Sequence, residues 1–161
     1  MAADMSHLAL SRSLCLARTV PMRLQLTRRG DYAIRAMLLL AQEADVMTGT
    51  DIARRTDIPE RLVRQVMGQL VRAGLVHARL GRHGGYWLER QQRATSILAI
   101  VEAVEGDARR QRCVLSGTEC GAASPCQVHD IFASAQEALI SRLAQASLES
   151  AVGPMARPGR A

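Results

Sequence analysis

The residues with the most evident chemistry are three cysteines in one short stretch, residues 113–129, which reads CVLSGTECGAASPCQVH. They are Cys113, Cys120 and Cys126, spaced C-x6-C-x5-C, and His129 follows the last of them by three positions. Glycine, serine and proline lie between them, which favours a loop over the interior of a helix. Thiols on one loop can converge on a single point, and thiolates are soft ligands for zinc or an iron–sulfur cluster. The stretch therefore predicts a metal or cluster site.

Other interpretations of this stretch, which we call the cysteine segment, are less favoured. Free cysteine packs well in hydrophobic cores, but the polar and glycine neighbours of these cysteines are unlike a core. Clustered cysteines in a chain without a clean signal peptide favour metal chemistry over a disulfide framework. The spacing of these cysteines differs from that of the usual zinc fingers, which makes a zinc site less favoured than a cluster. Zinc or a thiol switch is the alternative interpretation. Cys15 lies far from the other cysteines and is not expected to take part.

The basic residues are concentrated in one half of the chain, and all 21 of them are arginine. Residues 23–93 contain 13 Arg against 7 acidic residues, a balance of +6. Residues 94–161 contain 6 Arg against 7 acidic residues, a balance of −1. A basic half implies an anionic partner, and arginine suits forked contacts to phosphates and guanine edges. We therefore expect nucleic acid as the partner, ahead of a membrane surface.

Residues 27–76 predict three helices. The first spans about residues 28–43, with Thr27 as its N-cap. The second is short, is capped by Thr50 and is joined by a tight turn to a third helix, which begins at Pro59 and ends before Gly74. This is the helix-turn-helix pattern, although an ordinary helical hairpin with a charged outer face has a similar sequence. The expected core positions are Tyr32, Ile34, Met37, Leu38 and Ala41 in the first helix and Leu62, Val63, Val66, Leu70 and Val71 in the third.

A glycine-rich hairpin follows the third helix directly. Its strands are expected at Val76–Leu80 and Tyr86–Glu89, around a turn at Gly81–Gly85. A hairpin in this position is a wing. The helix-turn-helix pattern followed by a wing is more specific for a DNA-binding domain than either pattern alone. The sequence therefore predicts a mainly α fold with a winged helix-turn-helix DNA-binding domain over residues 22–93.

The exposed polar side chains of this domain predict how it meets a double-stranded DNA operator. The third helix turns Arg61, Arg64 and Gln65 outward, and Arg64 and Gln65 are expected to read bases in the major groove. Arg82 and His83 at the wing tip are expected to approach a groove or a phosphate. Phosphate contacts, which position a protein without reading sequence, are expected from Arg28, Arg29, Arg54 and Arg55.

Two further helices are expected on either side of the cysteine segment. The first covers residues 95–106 and buries one apolar face. The second runs from about Val128 to Leu148 as one long helix with an apolar stripe. A long helix of this kind after a compact domain usually packs on a partner subunit, so residues 94–150 predict dimerisation helices and a homodimer. The stripe comprises Val128, Ile131, Phe132, Ala135, Leu139, Ile140, Leu143 and Leu148.

The two ends of the chain carry no strong structural pattern. Residues 1–21 lack the apolar region and cleavage site of a signal peptide, so they are expected to be a disordered or non-native extension, with Met22 as the alternative start. Residues 151–161 are rich in Pro, Gly and Arg and predict a disordered tail. No apolar run approaches the roughly eighteen residues of a membrane span. We expect a cytoplasmic protein without a membrane partner.

The order of these features resembles the Rrf2 family of bacterial transcription regulators. The resemblance rests on MRLQLTRRGDYAIRAMLLLA, IPERLVRQVMGQLVRAGLV, the wing RLGRHGGYWL and the three cysteines, and it covers roughly residues 22–148. It implies a homodimer of winged helix-turn-helix domains whose long C-terminal helices cross at the dimer interface. For members with three cysteines it also implies a [2Fe–2S] or [4Fe–4S] cluster that senses nitric oxide, iron supply, redox state or cluster demand.

The resemblance also implies a set of cluster ligands, of which three are Cys113, Cys120 and Cys126. Two residues compete for the fourth position. His129 matches the branch that regulates cluster assembly, whereas Asp31 matches the nitric-oxide-sensing branch, in which the ligand comes from the other subunit. Arg35 also matches that second branch and shares a helix face with Asp31, so it can hold the carboxylate. Each candidate has a plain interpretation too: His129 as a partly exposed polar residue at a helix start, and Asp31 as a charge favoured near a helix N-terminus.

These observations together predict a homodimeric transcriptional repressor whose operator affinity is controlled by an iron–sulfur cluster. The alternative is the same DNA-binding role with zinc or a thiol switch in the cysteine segment. An enzyme or a cluster-transfer protein is less favoured, because no pair of nucleophile and base stands out. The glycines at Gly84 and Gly85 are explained by the wing and need no phosphate ligand.

Overall fold

The computed structural model describes residues 26–43, 45–108 and 126–152. The predicted N-terminal extension, most of the cysteine segment and the part of the predicted tail after Val152 lie outside these ranges. The described chain forms six α-helices, one short 3-10 helix at Gln91–Ala94 and a two-stranded antiparallel sheet. The mainly α winged helix-turn-helix architecture expected from the sequence is confirmed. No helix in the described ranges is both long and apolar enough to cross a membrane.

The first helix, α1 (Arg28–Gln42), begins where its cap was predicted. The Thr27 side chain accepts a hydrogen bond from the Gly30 N–H at 3.4 Å. The expected apolar face is rotated, because Ala33 and Ala36 are buried while Tyr32 and others of the predicted set are only half-buried. Small alanines let neighbouring helices approach closely, and the larger side chains then pack at the edge of that contact. The buried residues of α1 are Gly30, Ala33, Ala36, Met37, Leu39, Leu40 and Ala41.

The second helix, α2 (Gly49–Thr56), begins earlier than predicted. Thr48 is its N-cap in place of Thr50, and the Thr48 hydroxyl accepts from the Asp51 N–H at 3.1 Å. The helix ends at Asp57, which adopts the left-handed conformation (φ 56°) that a tight turn requires. Asp tolerates this conformation better than most residues other than glycine. Ile58 follows this turn directly and is buried in the core, with 3% of its surface exposed.

The third helix, α3 (Glu60–Arg72), follows the turn at once. Pro59 is its N-cap and not its first residue, a shift of one position from the prediction. Gly74 has φ 73° just after the helix, as expected for a residue that ends a helix in the left-handed region. The N–H of Leu75 then donates to the carbonyl of Leu70 at 2.9 Å. The buried face of α3 consists of Val63, Val66, Met67 and Leu70.

The wing strands are shorter than predicted. They are β1 (His77–Arg79) and β2 (Gly85–Trp87), paired in register with Ala78 opposite Tyr86. The wing is also fastened to the connection between α1 and α2, which the sequence did not predict. Met47 and Tyr86 exchange two backbone hydrogen bonds, at 2.9 Å and 2.8 Å. An added Cβ at Gly85 would collide with the carbonyl of Met47, so this close approach requires glycine.

The C-terminal half differs most from the prediction. Helix α4 (Ile97–Glu105) begins after the Ser96 N-cap, but the expected long helix is divided into α5 (His129–Gln145) and α6 (Leu148–Ala151). The chain leaves the helix at Ala146, whose carbonyl accepts from the Ile97 N–H at 2.8 Å. The Leu148 N–H donates to the carbonyl of Thr95 at 2.8 Å. These two bonds join the start of α4 to the chain that follows α5.

One aliphatic core joins both halves of the described chain. Ile100 and Val104 of α4 and Leu148 of α6 are buried in the same cluster as the residues of α1, α2 and α3. Leu148 has 0% exposure and therefore does not belong to a stripe that faces another subunit. Its burial explains the break after α5, because a continuous helix would carry Leu148 away from α1.

Candidate DNA interface and cysteine site

The outer face of α3 carries the residues predicted to read bases. Arg61, Arg64 and Gln65 are all exposed, on the side opposite to the buried Val63 and Met67. This division follows from helical geometry, because residues one turn apart share a face.

Arg64 has a partner that the sequence interpretation missed. Its Nη1 donates to Oε1 of Glu60 at 2.6 Å, one turn earlier on the exposed face of α3. The spacing of an acid and an arginine four residues apart on a helix could have indicated the pair.

The two arginines of α2 are placed differently from each other. Arg54 is largely exposed and pairs with Asp51 on the same helix at 2.8 Å. Arg55 Nη1 lies 2.5 Å from Oε1 of Glu43, at the end of α1. The second contact ties α2 to α1, so Arg55 has a structural partner as well as a predicted role at phosphates. Arg28 and Arg29 are exposed in the first turn of α1.

The wing tip presents Arg82 and His83 to solvent, as predicted. Arg79 Nη2 donates to the carbonyl of His83 at 2.9 Å and so braces the turn from inside. Leu80 is 97% exposed between these basic residues and was not singled out from the sequence. The tip therefore combines cationic side chains with one apolar side chain that contacts little of its own domain.

The base of the wing is held by His77. Its ring stacks on Trp87 across the two strands, with ring centroids 5.5 Å apart and an interplanar angle of 23°. The Nε2 atom of His77 also lies 2.8 Å from the side-chain nitrogen of Gln92. These contacts join β1, β2 and the 3-10 helix, and they give the wing a fixed root.

The predicted pair of Asp31 and Arg35 forms on α1. Arg35 Nε donates to Oδ1 of Asp31 at 2.9 Å, Nη2 contacts Oδ2, and Nη1 reaches the carbonyl of Thr56 at 3.5 Å. The hydrogen bonds to Asp31 raise the pKa of Arg35, against the smaller effect of desolvation. Both side chains are about two-fifths exposed, at 39% and 41%. The carboxylate is thus oriented by Arg35 and still open to solvent.

Cys126 and His129 stand one turn apart at the start of α5. Cys126 is half-buried, and its carbonyl accepts from the His129 N–H at 2.9 Å. Cys113 and Cys120 lie outside the described residues. Within the ranges that the structure describes, no three His, Cys, Asp or Glu side chains are grouped closely enough to hold a metal ion. Asp31, Cys126 and His129 therefore do not converge within one described chain.

Comparison with known proteins decides the family. Residues 26–154 match the Rrf2 family, which is described as iron-dependent transcriptional regulators. The chain belongs to the Rrf2 family. A Neisseria meningitidis protein named as an HTH-type transcriptional regulator is 32% identical over 133 residues, covering 80% of this chain and 88% of that protein. The HTH-type transcriptional regulator IscR of Yersinia pseudotuberculosis is 31% identical over 133 residues, covering 80% of this chain and 79% of IscR.

Solved structures agree on the fold of this Rrf2 protein. CymR of B. subtilis, titled a global cysteine regulator, has a TM-score of 0.66 at 23% identity, covering 81% of this chain and 97% of that chain. IscR of T. potens has a TM-score of 0.62 at 24% identity, covering 81% and 88% respectively. The Rrf2 membership and the winged architecture make the protein a DNA-binding transcriptional regulator, and its relatives are regulators and not enzymes.

Proposed function

We propose that this Rrf2 protein acts as a homodimeric repressor whose operator affinity is set by an iron–sulfur cluster. The observation that carries the proposal is the position of Cys126 and His129 at the start of α5, where the segment with the other two cysteines ends. Two metal-binding side chains one turn apart are thereby placed beside two further thiols in sequence. The relatives named IscR and the iron-dependent family description support the same assignment.

The donor set fits a cluster in its chemistry. Cys113, Cys120 and Cys126 would supply three thiolates, which are the usual ligands of iron–sulfur clusters. Cys126 is only half-buried, whereas a cysteine that serves for packing is typically fully buried. The positive end of the α5 dipole also favours negative charge at this position. A bound cluster would supply a redox-sensitive and nitric-oxide-sensitive joint between α4 and α5.

The fourth ligand is a choice between His129 and Asp31. His129 is close to Cys126 in the same chain, which supports it for a site built from one subunit. Asp31 is held by Arg35 with its carboxylate partly exposed, which supports it for a site completed by the other subunit of a dimer.

The dimer is proposed from α5. Ile131 is 67% exposed on this helix, although isoleucine is among the residues most often buried. Ile140 of the predicted stripe is also buried within the chain, at 4% exposure, so like Leu148 it is not available to a partner. The face proposed for the partner is therefore the part of α5 around Ile131. Two recognition helices must lie about 34–36 Å apart to enter successive major grooves. Cluster loss would alter this spacing through α4 and α5.

A thiol switch is the second candidate for the cysteine segment. Among the structural neighbours, CymR of Staphylococcus aureus is known in an oxidized form, with a TM-score of 0.65 and 20% identity. Three cysteines in one segment can form a disulfide without any metal. Zinc would be the third way to use the same thiols. The DNA-binding role is the same in all three cases.

The test is the iron and sulfide content of anaerobically purified protein. We expect a brown protein with a visible absorbance band, whereas zinc-loaded or metal-free protein is colourless. Cys113→Ala, Cys120→Ala and Cys126→Ala should each lose most of the iron. Cys15→Ala is the matched control and should keep it. Full iron in Cys120→Ala would overturn the proposed ligand set, and colourless protein whose DNA affinity follows thiol oxidation would favour the thiol switch.

A further inference from the structure

The last residue of α4 caps the first turn of α1. Glu105 Oε1 accepts from the Thr27 hydroxyl at 2.5 Å and from the Gly30 N–H at 3.1 Å. The first N–H groups of a helix have no partner within the helix and need one from outside. Thr27 alone gives Gly30 a long bond of 3.4 Å, so the carboxylate of Glu105 is the better acceptor. A residue 75 positions away in sequence thus fixes where α1 begins.

Gly30 makes room for this contact. A Cβ at Gly30 would collide with Oε1 of Glu105. The sequence offers no local reason for a glycine here, since glycine is unfavourable inside a helix by about 1 kcal/mol relative to alanine. Gly30 is therefore explained by its contact with Glu105, which could not be predicted from either residue alone.

The capped turn carries two of the predicted phosphate contacts. Arg28 and Arg29 line a surface depression together with Thr27, Val104 and Glu105. Glu105 also places a negative charge near them. By its charge alone, this carboxylate would repel DNA phosphates and would compete with them for Arg28 and Arg29. A different role must therefore explain its presence here.

The same end of α4 leads into the cysteine segment. Gly106 turns the chain with φ 92°, and Ala108 is held from two sides. Its N–H donates to Oε1 of Glu102 at 3.4 Å, and its carbonyl accepts from Nε2 of Gln136 on α5 at 2.9 Å. The chain is therefore fixed to α4 and α5 at Ala108, three residues after Glu105 and five residues before Cys113. The end of α4 from which the chain runs toward the cysteine segment is thus the same end that caps α1.

We propose that Glu105 is a positioning residue that holds Arg28 and Arg29 in place for DNA phosphates and links this contact to the end of α4, from which the chain runs to the cysteine segment. The proposal rests on the DNA-binding and cluster-binding functions proposed above. It assigns the carboxylate a role through hydrogen bonds to Thr27 and Gly30, and none through direct contact with DNA.

The test measures operator and random-duplex affinity of the full chain as a function of salt. Glu105→Ala removes the acceptor and should weaken binding to both duplexes by about tenfold, with a salt slope lower by up to about two per protomer as both phosphate contacts are lost. Glu105→Gln removes the charge but keeps an acceptor oxygen, and should retain the wild-type slope. Glu137→Ala, an exposed glutamate of α5, is the control for loss of one negative charge.

A second variant guards against misfolding. Gly30→Ala improves the intrinsic helix propensity of α1 but displaces the flexible end of Glu105. It should melt no lower than the wild type and still reproduce the lower salt slope of Glu105→Ala. In both variants, the difference in affinity between cluster-containing and cluster-free protein should shrink.

Two results would overturn the proposal. The first is tighter binding by Glu105→Ala, which would mean that the carboxylate only neutralises the arginines. The second is an unchanged salt slope in Gly30→Ala. Failure of the wild type itself to bind any duplex in a salt-dependent way is a different outcome, because it would contradict the proposed function. If the purified wild type contained no iron, the proposed cluster would be contradicted, but the salt slopes of Glu105→Ala and wild type could still be compared.

Discussion

Arg64 is the residue of α3 that we expect to contribute most to sequence reading. Its guanidinium is exposed, points away from the core and is already oriented by Glu60 one turn earlier. An oriented arginine loses less side-chain freedom when it binds a guanine edge. The exposed pair contributes little to stability by itself, because exposed ion pairs typically contribute about 0–1 kcal/mol.

Arg64→Ala should therefore affect recognition and not folding. We expect a loss of about 1–3 kcal/mol in binding to the selected operator, with a relaxed preference at one base position. Arg72→Ala is the control, since it removes the same charge from the exposed end of α3. It should weaken operator and random duplexes equally, if at all. Equal losses for both duplexes in Arg64→Ala would show that Arg64 contacts phosphate and does not read a base.

Asp31 and His129 can be separated by using Arg35 as a reference. Arg35→Ala breaks the ion pair but leaves the Asp31 carboxylate in place. If Asp31 is the fourth ligand, Asp31→Ala should make the cluster labile while Arg35→Ala retains more of it. If His129 is the ligand, His129→Ala should lose the cluster and the other two variants should behave alike. The rate of iron release to a chelator under anaerobic conditions is the measurement.

The elements of this protein were predictable where their signals are local. Thr27, Gly74 and the apolar period of α3 placed their helices to within a residue or two, because caps and periodicity act between near neighbours. Contacts between distant segments left no such signal. The bridge from Met47 to Tyr86, the cap by Glu105 and the return of Leu148 to α1 each depend on packing that a single sequence does not show.

The bridge between the wing and the connection before α2 gives an element-scale prediction. Gly85→Ala would place a Cβ against the Met47 carbonyl, a backbone atom that cannot move aside cheaply. We expect the free energy of unfolding to fall by about 1–3 kcal/mol, as for overpacking elsewhere. Gly49→Ala is the control, because an added Cβ there meets only ordinary contacts at 3.8 Å and 4.0 Å. Denaturant unfolding of both variants tests the difference, and equal stability would show that the strand separates from Met47.

For the whole molecule, the division of the predicted long helix places Ile131, in the proposed dimer interface, and Leu148, in the core, on separate helices. Ile131 is exposed on α5, whereas Leu148 belongs to the core of the DNA-binding half.

Ile131→Asp should dissociate the proposed dimer, because a charge in an apolar interface must be desolvated without a partner. Leu148→Ala should instead lower the free energy of unfolding by about 2–5 kcal/mol, the usual loss for such a buried truncation, with no change in subunit association. Sedimentation or light scattering gives the mass, and thermal melting gives the stability. A dimer that survives Ile131→Asp would place the interface elsewhere.

The stacking of His77 on Trp87 gives the protein a built-in optical reporter. Trp87 is its only tryptophan, so all of the indole emission comes from the root of the wing. When Arg82 and His83 engage a duplex, the polarity around this ring should change, and the emission maximum and intensity should change with it. An unlabelled titration can thus follow the wing by itself, while mobility or anisotropy assays follow the whole complex. Comparison of the two curves would show whether the wing docks together with α3 or after it.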